Sequence, residues 1–387
     1  MLCTFTDKQP QDFQRTHQHY AQISTSFSPI SFVISISLIF LFSFPPHNQY
    51  DFPWEKYKSF FQHLSVDRSS WPSTRFFLSA LVDILQGGES FFRNTLSAME
   101  NVYLERNPTA KRILDLVHSY EKDHICYDHF AFRTFGVNDH GIDSIARFFM
   151  DFGYVQRDEL SFPAKKLKAY WFSPPSEVRA GAGAGVNGPL PRIFISQLLV
   201  DQMTSEAQKI IKKYTAMSGN GYMHSALASA LGCLTWETPS FSEFQQLARE
   251  SEYAAWTLVN GYALNHVTVS AHRLKSNLRK IDNLNKFIEE NGFRLNSEGG
   301  ILKVSPDGLL LQSSTVADSS SFHFSEGITE SIPRCYIEFA ERLVLPQFKN
   351  VAEDKVEEFH RRDGFEVGNA DKIFESTSKD QLSRQAA

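Results

Sequence analysis

The sequence predicts an α+β chain: two copies of a βαβββ module around one cleft, a helical lead-in before the first copy, and a helical insert between them. Three observations carry this reading. The order strand, helix, strand, strand, strand, taken from hydrophobic periodicity, occurs over 128–200 and again over 262–345. The landmarks keep step, with 24 residues from His129 to Gly153 against 26 from His266 to Gly292, and 68 from His129 to Gln197 against 72 from His266 to Glu338. Finally, His129, Ala131, Arg133 and Phe135 share one strand face, as do His266, Thr268 and Ser270, and Tyr336, Glu338 and Ala340, while Phe130, Val267 and Ile337 face the other way.

The elements follow in order. Residues 1–50 carry only Asp7, Lys8, Asp12 and Arg15 as charges, and Ile30–Phe44 is an apolar run of 15 closed by Pro45-Pro46. That is short of the roughly 20 residues needed to span a bilayer. The leader lacks the positive start of a secretory signal; an organelle transit peptide suits it best, a leader of no function and a membrane role are the alternatives, and it is left outside the fold. Residues 51–125 read as the helical lead-in: an apolar helix Phe76–Leu85 broken at Gly87-Gly88, then Glu89–Leu104 and Thr109–Tyr120, split by Asn107-Pro108.

The first module occupies 126–200: strand DHFAFRTF (128–135), helix GIDSIARFFMDFG (141–153), then YVQRDELSF, KAYWFSPP and RIFISQLLV, with a Gly/Ala-rich loop at Arg179–Gly188. The insert fills 201–258. The second module occupies 259–346: strand YALNHVTVS (262–270), a helix over Leu274–Asn291, then FRLNSE, GILKVS with DGLLLQSS, and RCYIEFAERLVL (334–345). Residues 347–387 form a C-terminal segment.

Composition narrows the function classes. The 387 residues are 42% hydrophobic and 21% charged, which suits a folded chain with a large core. A net charge of −5 gives no surplus of cations for phosphates, so a nucleic-acid partner is not expected, and neither is stable membrane association. Cys3, Cys126, Cys233 and Cys335 are too scattered for a zinc ribbon or a disulfide framework, and a reducing compartment is the simpler reading. Nothing in the sequence fixes the oligomeric state.

If the polar strand faces meet, His129, His266 and Glu338 converge. Two imidazoles and one carboxylate on one side of a metal, with open positions opposite, is the arrangement of non-haem Fe(II) sites. Both histidines fall on the first strand of their copy; His124, His140, His224, His272 and His323 do not, and Glu341 has the wrong parity. Gln197 is read as the first copy's counterpart of Glu338, and an amide is a poor ligand. Arg133, four residues beyond His129 on the same face, is about 13 Å along an extended strand and could fork onto a carboxylate away from the metal. A structural salt bridge is the plainer role for such an arginine.

With these residues in view, the chain resembles the plant branch of the 2-oxoadipate dioxygenase/decarboxylase family, also called hydroxyglutarate synthase. The stretches that carry the resemblance are GGESFFRNTLSAMENVYLERNPTAKRILDLV (87–117), DHFAFRTFG (128–136), YALNHVTVS (262–270), GLLLQSSTVAD (308–318) and YIEFAER (336–342). The resemblance implies a fold like that of the vicinal oxygen chelate superfamily, with paired βαβββ modules. It implies Fe(2+) held by His129, His266 and Glu338, and Arg133 as the catalytic and substrate-binding arginine for the substrate carboxylate. Gly368 and Asn369, in the C-terminal stretch GFEVGNADKIFEST (364–377), are implied as further substrate contacts, although this stretch departs from the bacterial pattern. The implied partners are a 2-oxo diacid and O2, converted to 2-hydroxyglutarate and CO2 in lysine breakdown. The implied location is the plastid, with the cytoplasm as the alternative. Two other readings share the fold: a glyoxalase-type metal isomerase or lyase, and a non-catalytic or regulatory plastid protein.

Overall fold

The computed structural model describes residues 73–383 apart from 123–124, 138, 176–182 and 220–221. The expected transit segment 1–50 therefore lies outside the described residues, as does His124. All contacts below lie within the unit Phe77–Ala387.

The lead-in is two helices, α1 (Ser73–Arg106) and α2 (Pro108–Glu121). Gly87-Gly88 does not break α1, contrary to the sequence reading. Glycine weakens a helix by about 1 kcal/mol relative to alanine but does not forbid one. The cost is offset further along, where Phe92, Leu96, Met99 and Tyr103 recur at helical spacing and are buried. The break at Asn107-Pro108 is real: Asn107 caps α2 by accepting the Ala110 N–H at 3.0 Å, and Pro108 opens the first turn, where its missing donor is harmless.

The first module is β1 (Tyr127–Phe135), α3 (Ile142–Asp151), β2 (Val155–Phe162), β3 (Leu167–Ser173) and β4 (Arg192–Leu198). The insert holds α4 (Ser205–Met217), α5 (Tyr222–Ala230), α6 (Phe241–Glu250) and α7 (Glu252–Asn260). The second module is β5 (Leu264–Ser270), α8 (Ile281–Glu290), β6 (Lys303–Val304), β7 (Leu310–Ser314) and β10 (Tyr336–Arg342). The hairpin β8 (Ser319–His323) and β9 (Thr329–Pro333) forms a sheet of its own and was not foreseen.

The modules join edge to edge in one eight-stranded sheet, order β2-β3-β4-β1-β5-β10-β7-β6. Pairing about the centre is mirrored. β1 and β5 are antiparallel to each other, β1 pairs parallel with β4, and β5 pairs parallel with β10. The repeat in the sequence is thus an approximate two-fold between β1 and β5.

Two expectations for the second module are corrected. The helix expected over Leu274–Asn291 begins only at Ile281, after single 3-10 turns at Ala271–Arg273 and Asn277–Arg279. Leu274 and Leu278 are buried as their periodicity suggested, but Leu274 is extended after the first turn and Leu278 lies in the second. FRLNSE forms no strand, only an isolated bridge between Leu295 and Thr315.

Both faces of the central strands are covered, and every residue of β1, β5 and β10 is buried. On the apolar face, α3 brings Phe149 against Phe132 at 5.7 Å between ring centroids, and Phe92 of α1 packs on Phe148, Phe149 and Phe152. Over the polar face runs the C-terminal segment, with α9 (Val367–Ile373) and α10 (Lys379–Ser383). Among the described residues no helix is long and apolar enough to cross a membrane.

Candidate metal centre and active site

Strand register places the candidate side chains. Across β1, β5 and β10, one row reads His129, Thr268, Glu338 and the next reads Ala131, His266, Tyr336. Side chains paired across strands share a face. The histidines are therefore diagonal neighbours, and small Ala131 and Thr268 leave room between them. His129 Nε2 lies 3.3 Å from His266 Nε2 and 3.6 Å from Glu338 Oε2, and His266 Nε2 lies 3.1 Å from Glu338 Oε2. The three are at most 4% exposed. Among the described residues they form the one group of three or more His, Cys, Asp or Glu side chains with ligand atoms within 4.8 Å of one another.

Each donor is aimed by a partner. His129 Nδ1 faces Asp128 Oδ1 at 2.9 Å, and His266 Nδ1 faces Asn265 Oδ1 at 3.1 Å. An acceptor at Nδ1 fixes the tautomer that leaves a lone pair on Nε2, the atom directed at the cluster. Gln312 Nε2 donates to Glu338 Oε1 at 2.6 Å, which occupies one carboxylate oxygen and leaves Oε2 facing the imidazoles. A buried His-His-Glu set with both tautomers fixed fits a divalent transition metal.

The charges respond to one another. Burial opposes ionisation of Glu338, but the two imidazoles outweigh it and hold the carboxyl down at about 2. Burial also disfavours a charged His266, and Glu338 only partly counters it, so that imidazole falls to about 4. For His129 burial is outweighed by Glu338 and Asp128, and its pKa is raised. Asp128 stays ionised despite full burial because Arg342 and Arg192 flank it. Arg342 forks onto it, Nε to Oδ2 at 2.6 Å and Nη2 to Oδ1 at 2.9 Å, while Arg192 Nη1 stands 3.4 Å away.

Arg133 is 2% exposed. Among the described residues no carboxylate pairs with it, so the salt-bridge role does not hold. Both Nη atoms donate to Thr377 Oγ1 at 3.2 Å, Nε has no partner, and Tyr253, Trp256 and Phe374 surround the guanidinium. Arg133 lies two residues beyond Ala131, the register partner of His266. That is roughly 7 Å along the strand, half the separation from His129 that the sequence suggested. It also lines a cleft of about 240 Å³ with Lys165, Tyr253, Phe374 and Thr377.

Other sequence expectations need correction. The register counterpart of Glu338 in the first module is Phe194, which pairs with Ala131 as Glu338 pairs with Thr268; it is not Gln197. Gln197 corresponds instead to Glu341, and both do the same job. Gln197 Oε1 accepts the Ile142 N–H that starts α3, and Glu341 Oε2 accepts the Ile281 N–H that starts α8, each at 2.9 Å. Gly368 is exposed on α9, where an added Cβ would meet nothing within 4 Å, so it is not brought to the site. Asn369 is buried behind the site: its Nδ2 donates to Gln312 Oε1 at 3.0 Å and so steadies the amide that holds Glu338. The sequence reading missed Asp128, Asn265, Gln312, Arg342, Tyr336 and Phe365, whose ring meets His129 edge-on at 4.8 Å.

Comparisons with known proteins show the family and the fold. The profile of the 2-oxoadipate dioxygenase/decarboxylase family matches residues 95–356. This chain belongs to that family. It is 70% identical over 302 residues to the Oryza sativa protein called 2-oxoadipate dioxygenase/decarboxylase, chloroplastic/amyloplastic, covering 78% of this chain and 83% of the relative. A crystal structure of hydroxyglutarate synthase from Oryza sativa in complex with 2-oxoadipate superposes with a TM-score of 0.75 at 69% identity, covering 77% of this chain and 95% of that one. A glyoxalase-superfamily structure from Ralstonia eutropha shares the fold, with a TM-score of 0.55 at 16% identity over 71% of this chain and 86% of that one.

Proposed function

We propose that this member of the family is an Fe(II)-dependent enzyme that converts 2-oxoadipate and O2 to 2-hydroxyglutarate and CO2. The observation that carries the reading is the buried His129–His266–Glu338 set with an unpaired buried cation, Arg133, one register row away. The substrate class follows from this spacing. A 2-oxo acid offers a carboxylate and a ketone to a metal with open positions, and a second carboxylate at the far end of the chain answers Arg133. The 2-oxoadipate in the rice neighbour's crystal structure supports a six-carbon diacid.

His129 Nε2, His266 Nε2 and Glu338 Oε2 would hold the metal. Bound there, Fe(II) supplies the redox chemistry that couples loss of the C1 carboxyl as CO2 to the reduction of O2. Six carbons and five oxygens of substrate plus two of O2 become five carbons and five oxygens of hydroxy diacid plus CO2, and hydrogen is unchanged. The protein's own part is positional. Asp128 and Asn265 fix the imidazoles, Gln312 holds Glu338 to a single ligating oxygen, and Arg133 anchors the distal carboxylate. Phe365 and Tyr336 line the two rings and keep water from them. The chloroplast and amyloplast location in the rice relative's name supports a plastid location here, with residues 1–50 as the transit segment.

The test is anaerobic loading of the full chain with Fe(II), then 2-oxoadipate with O2 uptake and CO2 release followed together. One O2 per CO2, with 2-hydroxyglutarate formed, is expected. No O2 uptake from the iron-loaded protein would end the reading. In the same assay Arg133→Ala should retain iron and lose diacid turnover by about 10²-fold or more, since a charge-assisted fork is lost in a dry site. Undiminished turnover would remove Arg133 from substrate binding.

A further inference from the structure

Tyr336 stands in the register row of His266, on the face that carries the three metal-ligand candidates. Its ring stacks on the His266 imidazole, 4.6 Å between centroids and 23° from parallel. The side chain is fully buried, yet its hydroxyl makes no hydrogen bond within the protein. The Arg133 guanidinium lies beside it without a hydrogen bond of good geometry, and Arg133 Nε is itself buried and without a partner. Buried polar groups are nearly always satisfied, and each orphan needs an account. Two orphaned donors, side by side on one face, share the simplest account: one acceptor that reaches both.

A carboxylate has about four lone-pair directions, enough for a guanidinium N–H and a phenol O–H together. The Nη atoms of Arg133 already meet Thr377. Nε, the second N–H of each Nη and the phenol therefore remain open. We infer that Tyr336 is a specificity-determining residue whose hydroxyl donates, together with Arg133 Nε, to the distal carboxylate of the substrate. This rests on the diacid reading above. On this inference the diacid preference comes from two donors on different strands, β1 and β10. They converge only when the halves of the sheet are in register.

Tyr336→Phe tests this cleanly. The lost hydroxyl makes no hydrogen bond of good geometry within the protein, so its removal is expected to cost the fold little, and the ring keeps its stack on His266. Wild type and variant, both loaded anaerobically with Fe(II), are titrated with adipate, then assayed with 2-oxoadipate and with the monoacid 2-oxohexanoate. Expected are unchanged iron content, adipate binding weakened by about 10–100-fold, and KM for 2-oxoadipate raised by a similar factor. The expected kcat is within about threefold of wild type, and monoacid binding is unaltered. Unchanged adipate affinity would overturn the inference. So would a fall in kcat at constant KM, which would put the hydroxyl at the reacting end. A wild-type protein that binds adipate but does not turn over 2-oxoadipate would sink the proposed reaction and leave this contact standing.

Discussion

His266→Ala is expected to abolish stoichiometric Fe(II) binding and to lower 2-oxoadipate turnover by at least about 10³-fold. His266 Nε2 stands 3.3 Å from His129 Nε2 and 3.1 Å from Glu338 Oε2, so its loss removes one of three donors from the cluster. Two ligands cannot define one face of a metal. The fold should survive. His266 is neutral at pH 7, its pKa held down at about 4 by burial, so its removal strands no large buried charge beyond what Glu338 already shares with His129. Tyr336 loses its stacking partner, a modest effect. Metal analysis of the variant beside its O2 uptake decides the point. Full iron with full activity would remove His266 from the ligand set, and a variant that fails to fold where the iron-free wild type folds would reassign it to the core.

Arg342→Ala is the substitution expected to cost most in stability, about 3–5 kcal/mol, because it leaves a buried carboxylate without its main partner. Arg342 is fully buried and holds Asp128 by a two-bond fork. Its Nη1 also donates to the carbonyls of Arg362 at 3.1 Å and Gly364 at 2.7 Å, which ties the C-terminal segment to the sheet. Asp128 titrates well below the ordinary carboxylate range despite its burial, chiefly because of Arg342 and then Arg192. A depressed carboxylate contributes stability that is full above its unfolded pKa, near 3.9, and is lost as pH falls toward the folded value. The gap in urea midpoint between wild type and variant should therefore be widest near neutrality and narrow below about pH 4. A variant as stable as wild type at pH 7 would show that Arg192 alone suffices.

The ligand set was legible because it follows strand parity within a repeat. His129 and His266 open equivalent strands, and alternation separates Glu338 from Glu341. Register was not legible. Counting from one histidine to the strand end matched Gln197 with Glu338, but loop lengths differ between the copies, and only backbone pairing shows that Gln197 corresponds to Glu341. The partners of the imidazoles carried a signal that went unread, for each histidine follows an Asx residue, Asp128 or Asn265. Arg342, Gln312 and Thr377 could not be found in this way. Gln312 and Thr377 come from another strand and the tail, and Arg342, though it shares the strand of Glu338, meets an Asp128 that lies 214 residues away, so no local pattern encodes these meetings. The helix start failed for a simpler reason: Leu274 and Leu278 are buried, and burial alone does not distinguish a 3-10 turn or the extended residue after one from a helix.

Residues 365–377 touch three parts of the site: Phe365 against His129, Asn369 on Gln312 and Thr377 on Arg133. They follow both halves of the sheet in the chain. A nascent chain thus presents both halves of the sheet and all three metal-ligand candidates before their cover has been synthesised. The cup stays open during synthesis until residues 365–377 have followed the two modules.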